Sequence, residues 1–599
     1  MLILDNSMSA SEYWRNAEEQ RFTQIDLQNV SRPCRLADMR RTLDLEMDAV
    51  AKVLCSLRFR YNAATPVNQL PPELLTKIFS ILQTIDLPPN GKPNTPDYHT
   101  GWLRVTQICR QWRFAALDYP HLWSNIFMGL GPRWIEEFLL RSRMASISLD
   151  VETSVSRTMA RLDVAQVITQ HLYRMRKLRI WAEDYEGAIL LLPSLRREAP
   201  VLETISLCND LDSKSNQDRS TTEPLPLLPP DLFDYISPRL SCVNLTYFNF
   251  SWSSPIFSNL THLSVNRSAP DHCVASPAAR PSELDSGSHG FGLFLDALSR
   301  MPGLQTLELY FALPPLPSDA TSQISHTPVI TLALLRNIDL QDNILECAVA
   351  LKHVVIPSTA TKCITCNLDP AKRRWTDLIL PWCTSEIGIP VATRMLSIAH
   401  WPGGLHVSAE RDSTVRPGEG TEILMFCPDG LSADEALTEI LTACRMLPME
   451  CLTTLSLDGW VVRPTTREWF AILGRCDNVR HLTIETHYQH GLWTALLSSM
   501  DGTHDACEEY RGLLLPSLKS LKLFAVDFHK GLFKKLPKWL RLRRKCFLPL
   551  QSIVITASYV DQATVDSLRD EVPEVLWDGL QEDVSDHDLE EDMMSDDGE

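Results

Sequence analysis

The sequence predicts an α/β chain: a small helical domain near the N-terminus, an irregular solenoid of parallel strands plus helices, and a disordered acidic tail. Three observations predict it. Two short amphipathic segments between Asn68 and Trp123 carry more apolar residues than so small a unit can bury. Beyond Phe127 one spacing of apolar residues recurs nine times, each copy ending in two apolar residues set two apart, as on one face of a strand. Finally, Glu582 to Glu599 holds ten acidic residues and no basic ones, a run that repels itself and has little apolar surface to fold on.

Composition sets the limits. At 599 residues the chain exceeds a single core, since domains average roughly 150 residues. Hydrophobic and charged fractions of 44% and 22% are those of a globular protein. The net charge of −18 falls to −8 once the tail is set aside, and the overall balance argues against non-specific nucleic-acid binding, which needs clustered positive charge, so no nucleic-acid partner is expected. The opening MLILDNSMSA has no basic region and reaches Asp5 after three apolar residues, unlike a secretory signal. No apolar run approaches the roughly 18 residues of a membrane span. The expectation is a soluble chain of the cytoplasm and/or nucleus, with no membrane partner. Its 16 cysteines have no framework spacing and are expected as small buried apolar residues. The single CxxC, Cys363 and Cys366 with Cys383 downstream, falls on an expected strand whose residues three apart face opposite ways. No metal or other cofactor is expected.

In chain order, residues 1–30 are polar and expected to be disordered. Over 31–63, Leu36, Leu43, Val50 and Leu57 recur every seven residues with Met47 and Leu54 between them, which predicts a helix across Leu36 to Arg58. The expectation is that it lies against the following helical domain rather than forming a dimer seam. That domain covers 64–128. Its first helix begins at Pro71 and Pro72, where a fixed φ suits a helix start and the missing N–H costs nothing. Leu74, Ile78 and Leu82 follow at four-residue spacing with Leu75 and Phe79 beside them. A second helix is predicted from Val105, Ile108, Cys109 and Trp112, Pro120 closes the segment, and Leu122 and Trp123 make a third apolar pair. A unit of about 55 residues buries too little surface to be secure alone, so a partner for its leftover face is expected.

These residues resemble the F-box, the module by which substrate receptors of Skp-cullin-F-box ubiquitin ligases dock on a Skp-type adaptor. The resemblance rests on Leu70-Pro71-x-Glu73-Leu74, Ile78-Phe79-x-x-Leu82, Val105-x-x-Ile108-Cys109-Arg110-x-Trp112-Arg113 and Leu122-Trp123. It implies that Leu70, Pro71, Glu73, Leu74, Ile78, Phe79, Leu82, Val105, Ile108, Cys109, Trp112, Leu122 and Trp123 form the adaptor-binding module, with Trp112 holding helices together. One departure is the stretch from Thr84 to Thr100, which replaces a short loop and is similar to that of fungal F-box-like multigene families.

Over 129–578 the recurring copies are Met175-Leu178-Ile180, Leu202-Ile205-Leu207, Leu260-Leu263-Val265, Leu304-Leu307-Leu309 and Leu335-Ile338-Leu340, then Leu452-Leu455-Leu457, Val479-Leu482-Ile484, Leu518-Leu521-Leu523 and Leu550-Ile553-Ile555. This spacing resembles the L-x-x-L-x-L core of leucine-rich repeats. Helical patterns fall between copies, at Arg133 to Arg143, Gly292 to Met301, Ser432 to Met446 and Arg467 to Arg475, so the expected architecture is a curved α/β solenoid. Intervals of 27, 44 and 31 residues between some neighbouring copies, and an asparagine in its expected place only at Asn343, make the repeat degenerate. Between Leu340 and Leu452 no copy is placed, although Thr361 to Asn367 reads as a strand. Residues 579–599 form the acidic tail.

Walker, GxGxxG, HExxH and GxSxG motifs are absent, so no phosphate cradle, zinc helix or nucleophile elbow has a candidate. His487 and His490 near Glu485 are expected in a polar loop. A basic stretch from His529 to Cys546 interleaves Lys530, Lys534, Lys535, Lys538, Arg541, Arg543, Arg544 and Lys545 with Phe533, Trp539 and Leu542; it is read first as a solvated helix screening the tail, and second as a contact for an acidic substrate, an anionic membrane or nucleic acid. The resemblances together imply a substrate-recognition subunit, not an enzyme. Its F-box would dock the adaptor, and through it cullin, while its repeats capture an unidentified protein substrate for ubiquitin-dependent degradation. The alternatives are a leucine-rich-repeat scaffold outside any ligase and, from another class, a Ran-type GTPase activator.

Overall fold

A computed structural model describes residues 8–23, 33–88, 100–152, 164–183, 185–209, 225–267, 287–316, 328–367, 378–383, 393–401, 404–410, 420–426, 432–459, 462–485, 490–501, 513–526, 528, 535–558 and 560–579. They divide into two compact units, one of residues 1–124 with 133–143, the other of 125–132 with 144–599.

The first unit is helical. Its helix α1 spans Ala10–Phe22 and opens on a reciprocal cap, Ser9 Oγ accepting from Glu12 N while Glu12 Oε2 accepts from Ser9 N. This corrects the expected disorder of 1–30 for the part described, because two orphan donors at the helix start are satisfied locally. Helix α2, Pro33–Ala63, covers the predicted Leu36 to Arg58 and more. It does not lie against the helical domain, however: Leu36, Met47, Val50, Leu54 and Leu57 are all exposed. Next come α3, Pro72–Ile85, α4, Val105–Ile108, and α5, Arg110–Leu117. The predicted second helix is thus two, broken at Cys109, whose extended φ of −153° cannot continue a helical turn. Helix α6, Pro132–Arg141, was expected within the repeats, yet residues 133–143 pack in this unit, with Phe138 against Trp123 at 5.0 Å and Trp102 at 6.2 Å. Phe138 is buried there against both tryptophan rings.

Among the described residues the second unit carries a two-stranded sheet, Ile330–Thr331 with Val354–Val355, and a large sheet of seventeen strands. They are β1 Asn125–Phe127, β2 Ile147–Glu152, β3 Met175–Ala182, β4 Thr204–Asn209, β5 Cys242–Thr246, β6 His262–Asn266, β7 Thr306–Tyr310, β8 Asn337–Asn343 and β9 Thr361–Asn367, then β10 Met395–Trp401, β11 Gly404–Glu410, β12 Gly420–Phe426, β13 Thr454–Asp458, β14 His481–Glu485, β15 Ser520–Phe524, β16 Ser552–Thr556 and β17 Glu574–Trp577. From β1 to β9 each strand pairs in parallel with its neighbour in sequence. The same holds from β13 to β17.

Between these runs the order inverts. Strand β9 pairs in parallel with β12, β12 with β11 and β11 with β10 antiparallel, and β10 with β13 in parallel. The chain therefore skips two strand positions and returns through a meander, leaving β11 reversed inside an otherwise parallel ladder. This is the interval in which no repeat could be placed from sequence, and the expectation of uniform parallel stacking is corrected there.

Where the spacing was recognised, burial follows it. Leu178, Ile205, Val243, Leu263, Leu307 and Ile338 face one another along a single row of register, and Leu455, Leu482, Leu521 and Ile553 do the same beyond the meander. All are buried. Val243 belongs to a tenth copy, Leu240-Val243-Leu245, that the sequence reading passed over. Strand β9 confirms the Thr361 to Asn367 reading, with Cys366 buried and Cys363 on the opposite, partly exposed side. Among the described residues no group of three or more His, Cys, Asp or Glu could hold a metal ion, and no helix is long and apolar enough to cross a membrane.

The basic stretch is a helix over Lys535–Lys545, residues 529–534 lying outside the described part. Its cations hold the fold together. Arg543 is buried and donates to the carbonyls of Leu515, Leu518 and Leu548, while Arg541 and Arg544 meet Glu571. Burial pushes the Arg543 guanidinium down to about 10, still charged at neutral pH. His487 and the acidic tail from residue 580 lie outside the described residues, and His490 opens the helix His490–Asp501.

Candidate partner-docking site

Helix α3 is apolar on more than one side, and the fold uses only one of them. Pro71 caps the start, its carbonyl accepting from Leu74 N at 3.0 Å and Leu75 N at 3.2 Å. Leu75, Phe79 and Gln83 face inward, where Phe79 meets Trp112 at 5.1 Å and Gln83 Nε2 donates to Leu122 O at 2.9 Å. On the other side Leu74, Ile78, Ile81 and Ile85 are 48%, 39%, 52% and 74% exposed. Steps of four, three and four residues place these four on one stripe along three turns of helix. Leu87 continues the apolar surface beyond the helix end, and Ile108 and Phe114 on α4 and α5 are exposed as well.

The wall behind the stripe is built from aromatics. Trp102 and Trp123 meet edge to face at 5.4 Å, both buried, and the guanidinium of Arg141 covers the Trp123 ring at 4.7 Å. The Trp123 indole N–H donates to Ala116 O at 2.8 Å. Asn68 joins the segment before α3 to α5: its Oδ1 accepts from Trp112 Nε1 at 2.6 Å and its carbonyl from Gln111 Nε2 at 2.7 Å. A groove between α3 and α5 is lined by Glu73, Thr76 and Lys77 on one side and Phe114, Ala115 and Tyr119 on the other.

The long insertion does not pull the helices apart. Its two ends meet at the base, where Trp102 N donates to Asp86 O at 2.8 Å and Arg104 binds the Asp86 carboxylate at 2.6 Å. Gly101 makes this closure possible. It has φ +53°, and a Cβ there would lie 2.7 Å from Asp86 O and from Pro88 N. Residues 89–99, within the insertion, lie outside the described part.

The sequence-derived residues therefore separate. Pro71, Glu73, Leu74, Ile78 and Ile108 are exposed, and Leu70, Leu82, Cys109 and Trp112 are half-buried. Phe79, Val105, Leu122 and Trp123 are buried, so within the module they are core and not surface. Ile81, Ile85, Leu87 and Phe114 were missed on the exposed side, although the four-three spacing from Leu74 would have found the first two. Asn68 was missed as well.

Residues 67–129 match the family model described as F-box-like. No curated protein matches the chain.

Proposed function

With an F-box-like domain at residues 67–129 as the premise, we propose that the chain is the substrate-recognition subunit of a Skp-cullin-F-box ubiquitin ligase. One observation carries the reading: the Leu74, Ile78, Ile81 and Ile85 stripe stands exposed on a helix whose opposite face is fully packed. An uncovered apolar stripe on a rigid helix is what a docking partner would bury. Leu70 and Pro71 open the stripe and belong to the adaptor contact. The domain binds a Skp-type adaptor and, through it, cullin. The parallel strand and helix region, read as degenerate leucine-rich repeats like those accompanying fungal F-box-like modules, captures a protein substrate. The chain supplies proximity and no catalytic group, raising the concentration of a substrate lysine near the ubiquitin carrier. This work belongs to the cytoplasm or nucleus.

The test is recovery of a purified Skp-type adaptor by the full-length chain and by Leu74→Asp/Ile78→Asp. Both positions are exposed, so the variant keeps the fold while charging the stripe. Capture by the native chain and its loss in the variant support the reading. Equal recovery in both, or none in either, overturns it, and adaptor capture without cullin leaves the scaffold alternative.

A further inference from the structure

We propose that two copies of this chain associate through α2, side by side and antiparallel. The inference is independent of the adaptor reading. Along α2, two sets of residues alternate in steps of four and three: Leu36, Leu43, Val50 and Leu57 in one, Arg40, Met47, Leu54 and Tyr61 in the other. That is the seam of a two-stranded coil. Leu36, Met47, Val50, Leu54, Leu57 and Tyr61 are all exposed, and Leu43 is half-buried. A helix of 31 residues that leaves such a seam in water gains little from its own unit.

Charge selects the occupant and its direction. A parallel pair stacks Arg40 on Arg40 of the second copy inside the seam, and sets Asp44, Glu46 and Arg58 beside Met39, Ala51 and Val53, with no ion pair on either flank. An antiparallel pair can instead seat Met47 against Leu57, Val50 against Leu54 and Leu43 against Tyr61 of the second copy, and the two-fold axis repeats each layer. In that alignment Asp44 flanks Arg58 of the second copy on one side, and Glu46 flanks Arg60 on the other. Sliding by one heptad either way replaces these pairs with contacts to Ala51 and Val53. The acidic half of α2 is thus complementary to its own basic half in one antiparallel register. Arg21 of α1 already binds Glu46 at 2.7 Å, so Asp44 and Arg58 are the pair to test.

Sedimentation velocity of the full-length chain at tens of micromolar should show a particle of about twice 67.8 kDa. Leu54→Glu, at an exposed position, should give the monomer with an unchanged melting transition. Asp44→Arg should weaken association about tenfold, because each dimer loses two attractive pairs and gains two repulsive ones. Asp44→Arg/Arg58→Asp, which exchanges the charges, should restore it. A monomeric native chain overturns the proposal, as does a Leu54→Glu variant that still dimerises. Association indifferent to Asp44→Arg, or not recovered in the exchanged variant, overturns the antiparallel register.

Discussion

Asn68 accepts the Trp112 indole N–H at 2.6 Å while its own Nδ2 donates to Asn62 O at 2.7 Å. One side chain therefore links the end of α2, the entry to α3 and the body of α5. The stripe on α3 holds its orientation because this joint is closed on both sides.

Replacing Asn68 with alanine should loosen that joint. The half-buried indole N–H of Trp112 loses its acceptor, a loss of about 1–2 kcal/mol. Hydrogen–deuterium exchange should rise over 62–75 and 110–117 and stay unchanged in the strand unit. Asn68→Asp keeps the acceptor and should recover most of the protection.

Gly101→Ala should destabilise the helical unit by about 2 kcal/mol or more, since a methyl group would meet backbone atoms at 2.7 Å in a left-handed conformation. Thermal unfolding followed by the near-ultraviolet signal of Trp102 and Trp123 would measure it. A variant as stable as the native chain would contradict the closed base of the insertion.

Leu70→Ala/Pro71→Ala should weaken adaptor capture by roughly a thousandfold if both are interface anchors, with secondary structure retained, because Pro71 is exposed and Leu70 half-buried. Titration of purified adaptor by surface plasmon resonance reads the loss. Val105→Ala should instead lower the melting temperature, its side chain being interior.

In the strand unit, Leu307→Ala should cost about 2–5 kcal/mol, whereas the exposed Leu190→Ala should stay within about 0.5 kcal/mol. Denaturant titration of the two variants compares a position on the buried row with one outside it.

Stability should also fall as pH rises from about 4 to about 7, through Asp342. This carboxyl is fully buried on β8 beside Glu346 and is pushed up to about 7, chiefly by burial and then by the neighbouring carboxylate. Its folded value lies above the unfolded one, so the native state holds more protons across that window and the stabilisation is lost as the group ionises. Leu313 N and Asn343 N donate to it at 3.0 and 2.8 Å. Asp342→Asn keeps an acceptor for those donors and should flatten this part of the melting-temperature profile. A profile identical to that of the native chain would refute the assignment.

By itself the sequence determined what local periodicity can determine. Two apolar residues set two apart, repeated, specify strands with one buried face, so Leu263, Leu307, Leu455, Leu482 and Leu521 were legible as core. Prolines at 71 and 72 marked a helix start, and heptad spacing marked α2. Tertiary structure alone decided which apolar side each helix turns inward. In α3, Leu74 and Ile78 are as apolar as Leu75 and Phe79, and the choice is made by Trp102, Trp112, Trp123 and Phe138, residues far along the chain. The reversed strand β11 is a related case: Gly404–Glu410 alternates as any strand does, and its place inside the ladder follows from β12 returning to β9 and β10 pairing with β13, partners distant in sequence. Periodicity reports that a face is apolar. What covers that face is settled by residues distant in sequence, because burial is a relation between elements and not a property of one.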